Sequence, residues 1–382
     1  MKVLHVYATY YPDRTSGVAE CMRQLGLGLQ GTGAGNRIFA LSPRPNSAPA
    51  SFKEGEVYRA KSWGAPASCD IGALDALRQY RLLCAWADIV HHHMPWPFGD
   101  LLHLVSGNRK PLVVTWHSDV VRQQVLGAAC APLRNALLRR ARAVIATSPA
   151  YAETSRILSK KDVAPKVRVI PPGVLDNSND APDAASVAVA AVAKVREPFF
   201  LFLGALRYYK GLPFLIRAAR ESGVTVVIAG EGDVKSLQRL AAGASNVVFT
   251  GHVSDDEKRN LLRACRALVL PSHLRSEAYG MVLVEAAMCG KPMISCEIGT
   301  GTSFVNRHNE TGLVVEPGSS EALAAAMRRL AKDDTLCQTF GRAARTRYKK
   351  LFDARIAAEA HLRLYSEIVP FVSSNGSVPL PS

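Results

Sequence analysis

The stretch Leu270-Pro271-Ser272-His273-Leu274-Arg275-Ser276-Glu277-Ala278-Tyr279-Gly280-Met281-Val282-Leu283-Val284-Glu285 decides how the rest of the chain is read. It begins where the apolar run Ala267 to Leu270 ends, a strand apolar enough to be buried on both faces. A helix is predicted from near Met281 to Gly290, a residue suited to the position after a helix, with Pro292 just beyond. The helix start offers free N–H groups and a partial positive charge, a place for a diphosphate. Glu285 lies about five residues into the helix, roughly 7 Å along its axis at ~1.5 Å per residue. That spacing keeps its carboxylate off the phosphates and within reach of ribose hydroxyls. Glu277, in the loop, can hold a sugar on the other side, helped by backbone N–H groups at Tyr279, Gly280 and Met281.

The same strand–loop–helix pattern occurs at Phe199-Phe200-Leu201-Phe202-Leu203-Gly204-Ala205-Leu206-Arg207-Tyr208-Tyr209-Lys210-Gly211. Here the loop carries Arg207 and Lys210. A guanidinium can grip phosphate with two hydrogen bonds and an ammonium adds a point charge. Together they can neutralise a departing diphosphate with no metal ion.

Outward from these two stretches, short apolar runs alternate with helical patterns. Strands are expected at Val3 to Ala8, Asp88 to His92, Leu112 to Trp116, Ala143 to Thr147 and Val167 to Ile170, with a helix over Gly17 to Leu29. They recur at Thr225 to Ala229, Val247 to Thr250 and Met293 to Cys296. Such alternation predicts α/β architecture with two doubly wound, Rossmann-like domains facing across a cleft. The expected boundaries are 1–175 for the first domain, a linker over 176–197, a second domain over 198–354, a crossing helix over 355–372 and a frayed tail over 373–382. The cleft between the domains is the expected site.

The chain has 382 residues, 48% hydrophobic and 21% charged, which excludes a largely disordered protein. Its apolar runs fall short of the ~20 residues that cross a bilayer, and Met1 to Val6 reads as a strand, not a secretory signal. The eight cysteines form no Cys-x-x-Cys pair, so reduced thiols in a cytoplasmic enzyme are expected. The net charge is +15, and residues 1–175 carry +11 of it. Arg134, Arg139, Arg140 and Arg142 alternate with Leu133, Leu137, Leu138 and Val144 as on a basic amphipathic helix. With no aromatic-basic nucleic-acid motif beside it, the face suits an anionic membrane surface better than nucleic acid; a solvated face remains the plain alternative.

Three further elements come from the first half. Gly17, at a helix start, lets the backbone approach an anion, though the full dinucleotide fingerprint is missing. His117 follows a strand and is expected to point into the cleft, where it can hold a sugar hydroxyl. His91, His92 and His93 lie on a strand, where consecutive side chains face opposite sides, and no paired carboxylate supports a metal. They are read as packing residues.

Together these residues resemble the retaining glycosyltransferases of family 4, which have the GT-B fold. The resemblance spans nearly the whole chain. The family's two glutamates with seven residues between them match Glu277 and Glu285, and its donor-phosphate pair matches Arg207 and Lys210. Its glycine loop matches Gly17, and its cleft histidine matches His117. Pro171-Pro172-Gly173-Val174 looks like its element before the linker, and Gly251-His252-Val253 like its segment near the base, which makes Val253 a donor-binding candidate. The loop has one glycine where many members have two, and Ala278 stands where glycine is frequent. The runs Pro95-Trp96-Pro97-Phe98 and His117-Ser118-Asp119-Val120-Val121-Arg122 look similar to bacterial mannosyl- and rhamnosyltransferases of surface-polysaccharide assembly. Asp119 and Arg122 are accordingly the acceptor-side candidates.

The resemblance implies transfer of a hexose from a GDP-sugar to a lipid-linked saccharide with retention, without cofactor or metal, on the cytoplasmic face of the inner membrane. His117, Glu277, Arg207 and Lys210 would carry the catalysis. The departing phosphate, not a protein base, would take the acceptor proton. Two alternatives stay open: a GT-B nucleotide-sugar epimerase, for which no acid/base set is found, and a non-catalytic nucleotide-sugar-binding assembly subunit.

Overall fold

A computed structural model describes residues 1–14, 16–46, 48–65, 70–119, 124–180 and 198–369. The tail and most of the expected linker lie outside these residues, as does Arg122.

Each half of the chain builds one sheet. The first half supplies β1 (Lys2–Val6), β2 (Gly35–Ser42), β3 (Ala50–Phe52), β4 (Gly55–Gly64), β5 (Ile71–Gly72), β6 (Ile89–Met94), β7 (Leu112–Trp116), β8 (Ala143–Ala146) and β9 (Val167–Val169). Their order is β3-β4-β2-β1-β6-β7-β8-β9, with β5 on β4. The short β3 and β5 run antiparallel to β4, and the other pairs are parallel. The second half supplies β10 (Phe199–Leu203), β11 (Thr225–Ala229), β12 (Val247–Gly251), β13 (Ala267–Leu270), β14 (Met293–Cys296) and β15 (Gly312–Val315). This sheet is wholly parallel, in the order β12-β11-β10-β13-β14-β15.

All the strands expected from apolar runs are present. Phe199 to Leu203 is buried throughout, as a central parallel strand sheathed in helices must be. The reading missed β2 to β5 and β15. Arg37 and Asn36 interrupt β2, and β4 alternates polar and apolar residues toward its exposed end.

Strand order fixes where ligands go. In the second sheet the order reverses between β10 and β13, so a crevice opens at their carboxyl ends. Those ends carry the Arg207–Lys210 loop and the Glu277 loop. The first sheet reverses between β1 and β6, which places the Gly17 helix start at the matching crevice.

A helix over Ala354–Ile368, capped by Asp353, returns to the first domain. Leu364 and Tyr365 pack there with Val3, Ile89, Val113 and Ile145 in one apolar cluster. The helix begins one residue earlier than expected and, as described, ends at Ile368.

Candidate active site

The second domain builds the side where anion binding is expected. After β10, the chain turns through Tyr208–Lys210 to Gly211, which takes a left-handed conformation. A Cβ at Gly211 would lie 2.0 Å from the Pro271 carbonyl oxygen, so only glycine lets the two site loops pack backbone to backbone. His273 N donates to Tyr209 O at 3.0 Å and pins the same contact.

This packing brings Lys210 onto Glu277. Their ammonium and carboxylate form an ion pair, and Ser272 Oγ donates to the same oxygen, Glu277 Oε2, at 3.2 Å. Burial is the largest influence and lowers the Lys210 pKa, but the charge of Glu277, Tyr209 and the hydrogen bond to Glu277 together outweigh it, and the net shift is upward. Lys210 is therefore a fixed cation at neutral pH. Arg207 stands exposed on the same loop.

Gly280, left-handed at φ 86°, starts the Met281–Met288 helix with no side-chain cap. Leu283 N already donates to the Gly280 carbonyl at 2.9 Å, so the N–H groups ahead of it, at Met281 and Val282, are the ones open to a ligand. Met281 is half-buried at that start, and Tyr279 is buried with its hydroxyl on the Pro172 carbonyl, 2.9 Å away. Glu285, one turn on, faces Lys258 Nζ at 2.8 Å. Burial raises the Glu285 pKa and Lys258 opposes the rise without cancelling it. Val253 is half-buried against the second domain's core.

Lys258 was not found from sequence. It sits in a capping-box helix, Asp255–Ala264, whose Asp-Asp-Glu-Lys start reads as a solvated face. First-domain residues face this corner. Arg23 Nη1 lies 3.4 Å from Asp255 Oδ2, and the Glu20 charge raises the pKa values of both Lys258 and Glu285. Both residues belong to the helix that Gly17 opens, and a Cβ at Gly17 would meet nothing within 4 Å.

His117 directly follows β7, as expected, and its ring lines a small cavity with His93, Cys21, Pro172 and His361. It is 7% exposed, and its Nε2 lies 2.8 Å from His93 Nδ1. His93 Nε2 in turn meets His5 Nδ1 at 3.0 Å. Burial, with the charge of His361 second, holds the His117 pKa down to about 3. His117 is thus a neutral ring at physiological pH.

The histidine triplet splits between faces. His91 and His93 share a side with His5 and His117, and His92 faces Tyr80 on the other. His5, His91 and His93 stand close enough to hold a metal ion. Their nitrogens are largely engaged already, His91 with Tyr365 and Thr115, His93 with His5 and His117.

Asp119 is committed within the protein. Its Oδ1 accepts from Trp116 Nε1 and Ser155 Oγ, each at 2.9 Å, and its Oδ2 faces Arg275 at 3.6 Å.

Two facing doubly wound domains, each with a crevice where its strand order reverses, define the GT-B architecture. Residues 15–178 match the family model "Glycosyltransferase Family 4" and residues 189–347 match "Glycosyl transferases group 1". The chain is similar to the O-antigen chain mannosyltransferase C of Escherichia coli, 39% identical over 97% of this chain and 99% of that one. It is 42% identical to the D-rhamnosyltransferase WbpZ of Pseudomonas aeruginosa over 93% of each. Among solved structures, sucrose-phosphate synthase of Thermosynechococcus elongatus matches with a TM-score of 0.78 at 21% identity, over 96% of this chain and 98% of that one. HepE of Anabaena, in complex with UDP and glucose, matches with a TM-score of 0.76 at 18% identity, over 96% and 100%. The chain belongs to glycosyltransferase family 4.

Proposed function

We propose that the protein moves a hexose of the mannose or D-rhamnose type from a GDP-sugar to a lipid-linked saccharide during O-antigen assembly. The names of the two bacterial relatives support the sugar and the pathway. The observation that carries the chemistry is the lysine-paired pair of carboxylates, Glu277 and Glu285, on either side of an uncapped helix start.

In this reading the diphosphate sits over the Met281 helix start. Arg207, Lys210 and the helix N–H groups take up its charge as the bond from the sugar's anomeric carbon to phosphate oxygen breaks. Glu277 holds sugar hydroxyls and Glu285 the ribose. The acceptor oxygen bonds to the anomeric carbon from the side the diphosphate leaves, and its proton passes to the departing phosphate oxygen. The configuration is retained, and the two cations with the helix dipole do the work a metal ion does elsewhere.

The acceptor's lipid fits the surface of the first domain. Among the described residues no helix is long and apolar enough to cross a membrane. The helices Leu74–Trp86, Pro97–Val105 and Ala131–Arg140 lie side by side, joined by Arg81 on the Val105 and Ser106 carbonyls. They expose Leu74 (84%), Leu82 (66%) and Val105 (49%) beside Arg78, Arg81, Arg139 and Arg140. Cationic side chains mixed with protruding leucines suit an anionic lipid surface. Arg134 departs from the expected basic face: it is half-buried, and its charge acts on Asp100. The helix ends at Arg140, and Val144 belongs to β8.

The test is to incubate purified protein with GDP-mannose or GDP-D-rhamnose and a lipid-linked acceptor, then read product mass and anomeric configuration. One added hexose of retained configuration is expected. An inverted product refutes retention, and an epimerised sugar formed without acceptor favours the epimerase.

A further inference from the structure

Arg275 stands two residues before Glu277, in the loop that follows β13, yet it reaches into the first domain. Nη2 donates to Thr154 Oγ1 at 3.0 Å and lies 3.6 Å from Asp119 Oδ2. The guanidinium carbon lies 5.6 Å from the centre of the Tyr151 ring. Nη1 turns back to the second domain and donates to the Gly299 carbonyl at 2.7 Å. Thr154 Oγ1 lies 2.7 Å from that same carbonyl, so the fork and the hydroxyl meet on one oxygen.

Gly299 is shaped for this contact. Its φ is 65°, and a Cβ there would lie 3.1 Å from Arg275 Nη1. The residues after it hold the Glu277 loop. Thr300 Oγ1 donates to the Glu277 carbonyl at 2.8 Å, and Gly301 N donates to the Ala278 carbonyl at 2.8 Å. Arg275 therefore grips from above the segment that fixes the Glu277 backbone from below. Asp119 completes the first-domain side, its carboxylate held rigid by Trp116 and Ser155.

We propose that Arg275 is a positioning residue that holds the Glu277 loop in its working conformation by tying it to the first domain. The planar fork is what the task requires, since two directed bonds reach two domains at once, and an ammonium presents no such fork. The role rests on Glu277 being a site carboxylate; the latch itself does not. Arg275 acts through Glu277 and the nucleotide cations sit elsewhere, so its loss should affect turnover rather than nucleotide binding.

Arg275→Ala, Arg275→Lys and Thr154→Val would be compared with wild type by hydrogen exchange, GDP calorimetry and kinetics. In Arg275→Ala, amides of 277–280 and 299–301 should exchange faster. GDP affinity should stay within about twofold, and kcat should fall about 10- to 100-fold with donor KM little changed. Arg275→Lys should recover part of the turnover. Thr154→Val, which leaves the loop sequence intact, should shift exchange in the same direction and carries the comparison if Arg275→Ala does not fold. Unchanged exchange in both variants, or turnover of Arg275→Ala within about twofold of wild type, overturns the proposal. If wild-type protein transfers no sugar, the transfer reading fails and the exchange comparison alone decides the latch.

Discussion

Lys258 Nζ lies 2.8 Å from Glu285 Oε1, and the same ammonium lies 3.3 Å from Asp255. The other site carboxylate, Glu277, has Lys210. Each acid of the pair therefore has its own cation, which offsets part of the cost of burying it. In the proposed function these two lysines lie where the diphosphate and the ribose would bind.

Removing Lys258 should expose this dependence. Lys258→Met leaves Glu285 buried beside Glu20 and Asp255 with no counter-charge. Stability should fall by about 2 kcal/mol, less than for a fully buried pair because the lysine side chain is 27% exposed. Nucleotide affinity should weaken at neutral pH and recover as pH rises and Glu285 ionises. Urea unfolding and calorimetry at two pH values would measure this, and an unchanged midpoint with unchanged affinity contradicts it.

The histidine cluster sets an acid limit. Burial holds His5 and His117 down to about 3 and His361 down to about 4, from an ordinary 6.5. These folded-state values lie below the unfolded one, so the stability involved is whole above pH 6.5 and drains as pH falls towards about 4 for His361 and about 3 for His5 and His117. Each ring held neutral costs about 1.4 kcal/mol per pH unit across that window. The melting temperature should drop between about pH 7.5 and pH 5, with imidazole NMR signals still those of neutral rings at the lower value. A flat profile with charged rings refutes this.

Gly211→Ala should be severe for its size. The new Cβ meets the Pro271 carbonyl, and the left-handed backbone adds strain. A loss of about 2–4 kcal/mol is expected in denaturant unfolding, together with weaker nucleotide binding as the Lys210 and Glu277 loops part. A near-neutral result would mean that the loops are not packed as described.

The proposed membrane face can be tested away from the chemistry. Reversing Arg139 and Arg140 to glutamate, or changing Leu74 and Leu82 to serine, should each reduce sedimentation with anionic vesicles about tenfold or more. Each Arg near an anionic surface contributes about 1 kcal/mol. Transfer to a water-soluble acceptor should not change. Equal vesicle binding by both variants leaves that face merely solvated.

How far the sequence carried this picture depended on how local each signal was. Runs such as Phe199 to Leu203 are apolar without interruption, so the central strands could be read directly. Glu277 and Glu285 were legible because strand, loop and helix follow one another within a single segment. Lys258 was not, because it reaches Glu285 from another helix 27 residues away. The histidine chain joins β1, β6 and β7, and neither His5 nor His117 announces that it will meet His93. The role of Asp119 hides for the same reason: Arg275, 156 positions on, approaches only once both domains are formed.

The central claim is that the second domain's crevice binds a nucleoside diphosphate through Arg207, Lys210 and the Met281 helix start. Calorimetric titration of GDP, UDP and ADP into wild type and the Arg207→Ala/Lys210→Ala double variant tests it directly. GDP should bind most tightly and lose about 100-fold or more in the double variant, since two charged phosphate contacts are removed. No binding of any of the three nucleotides, or equal GDP affinity in both proteins, would contradict the account.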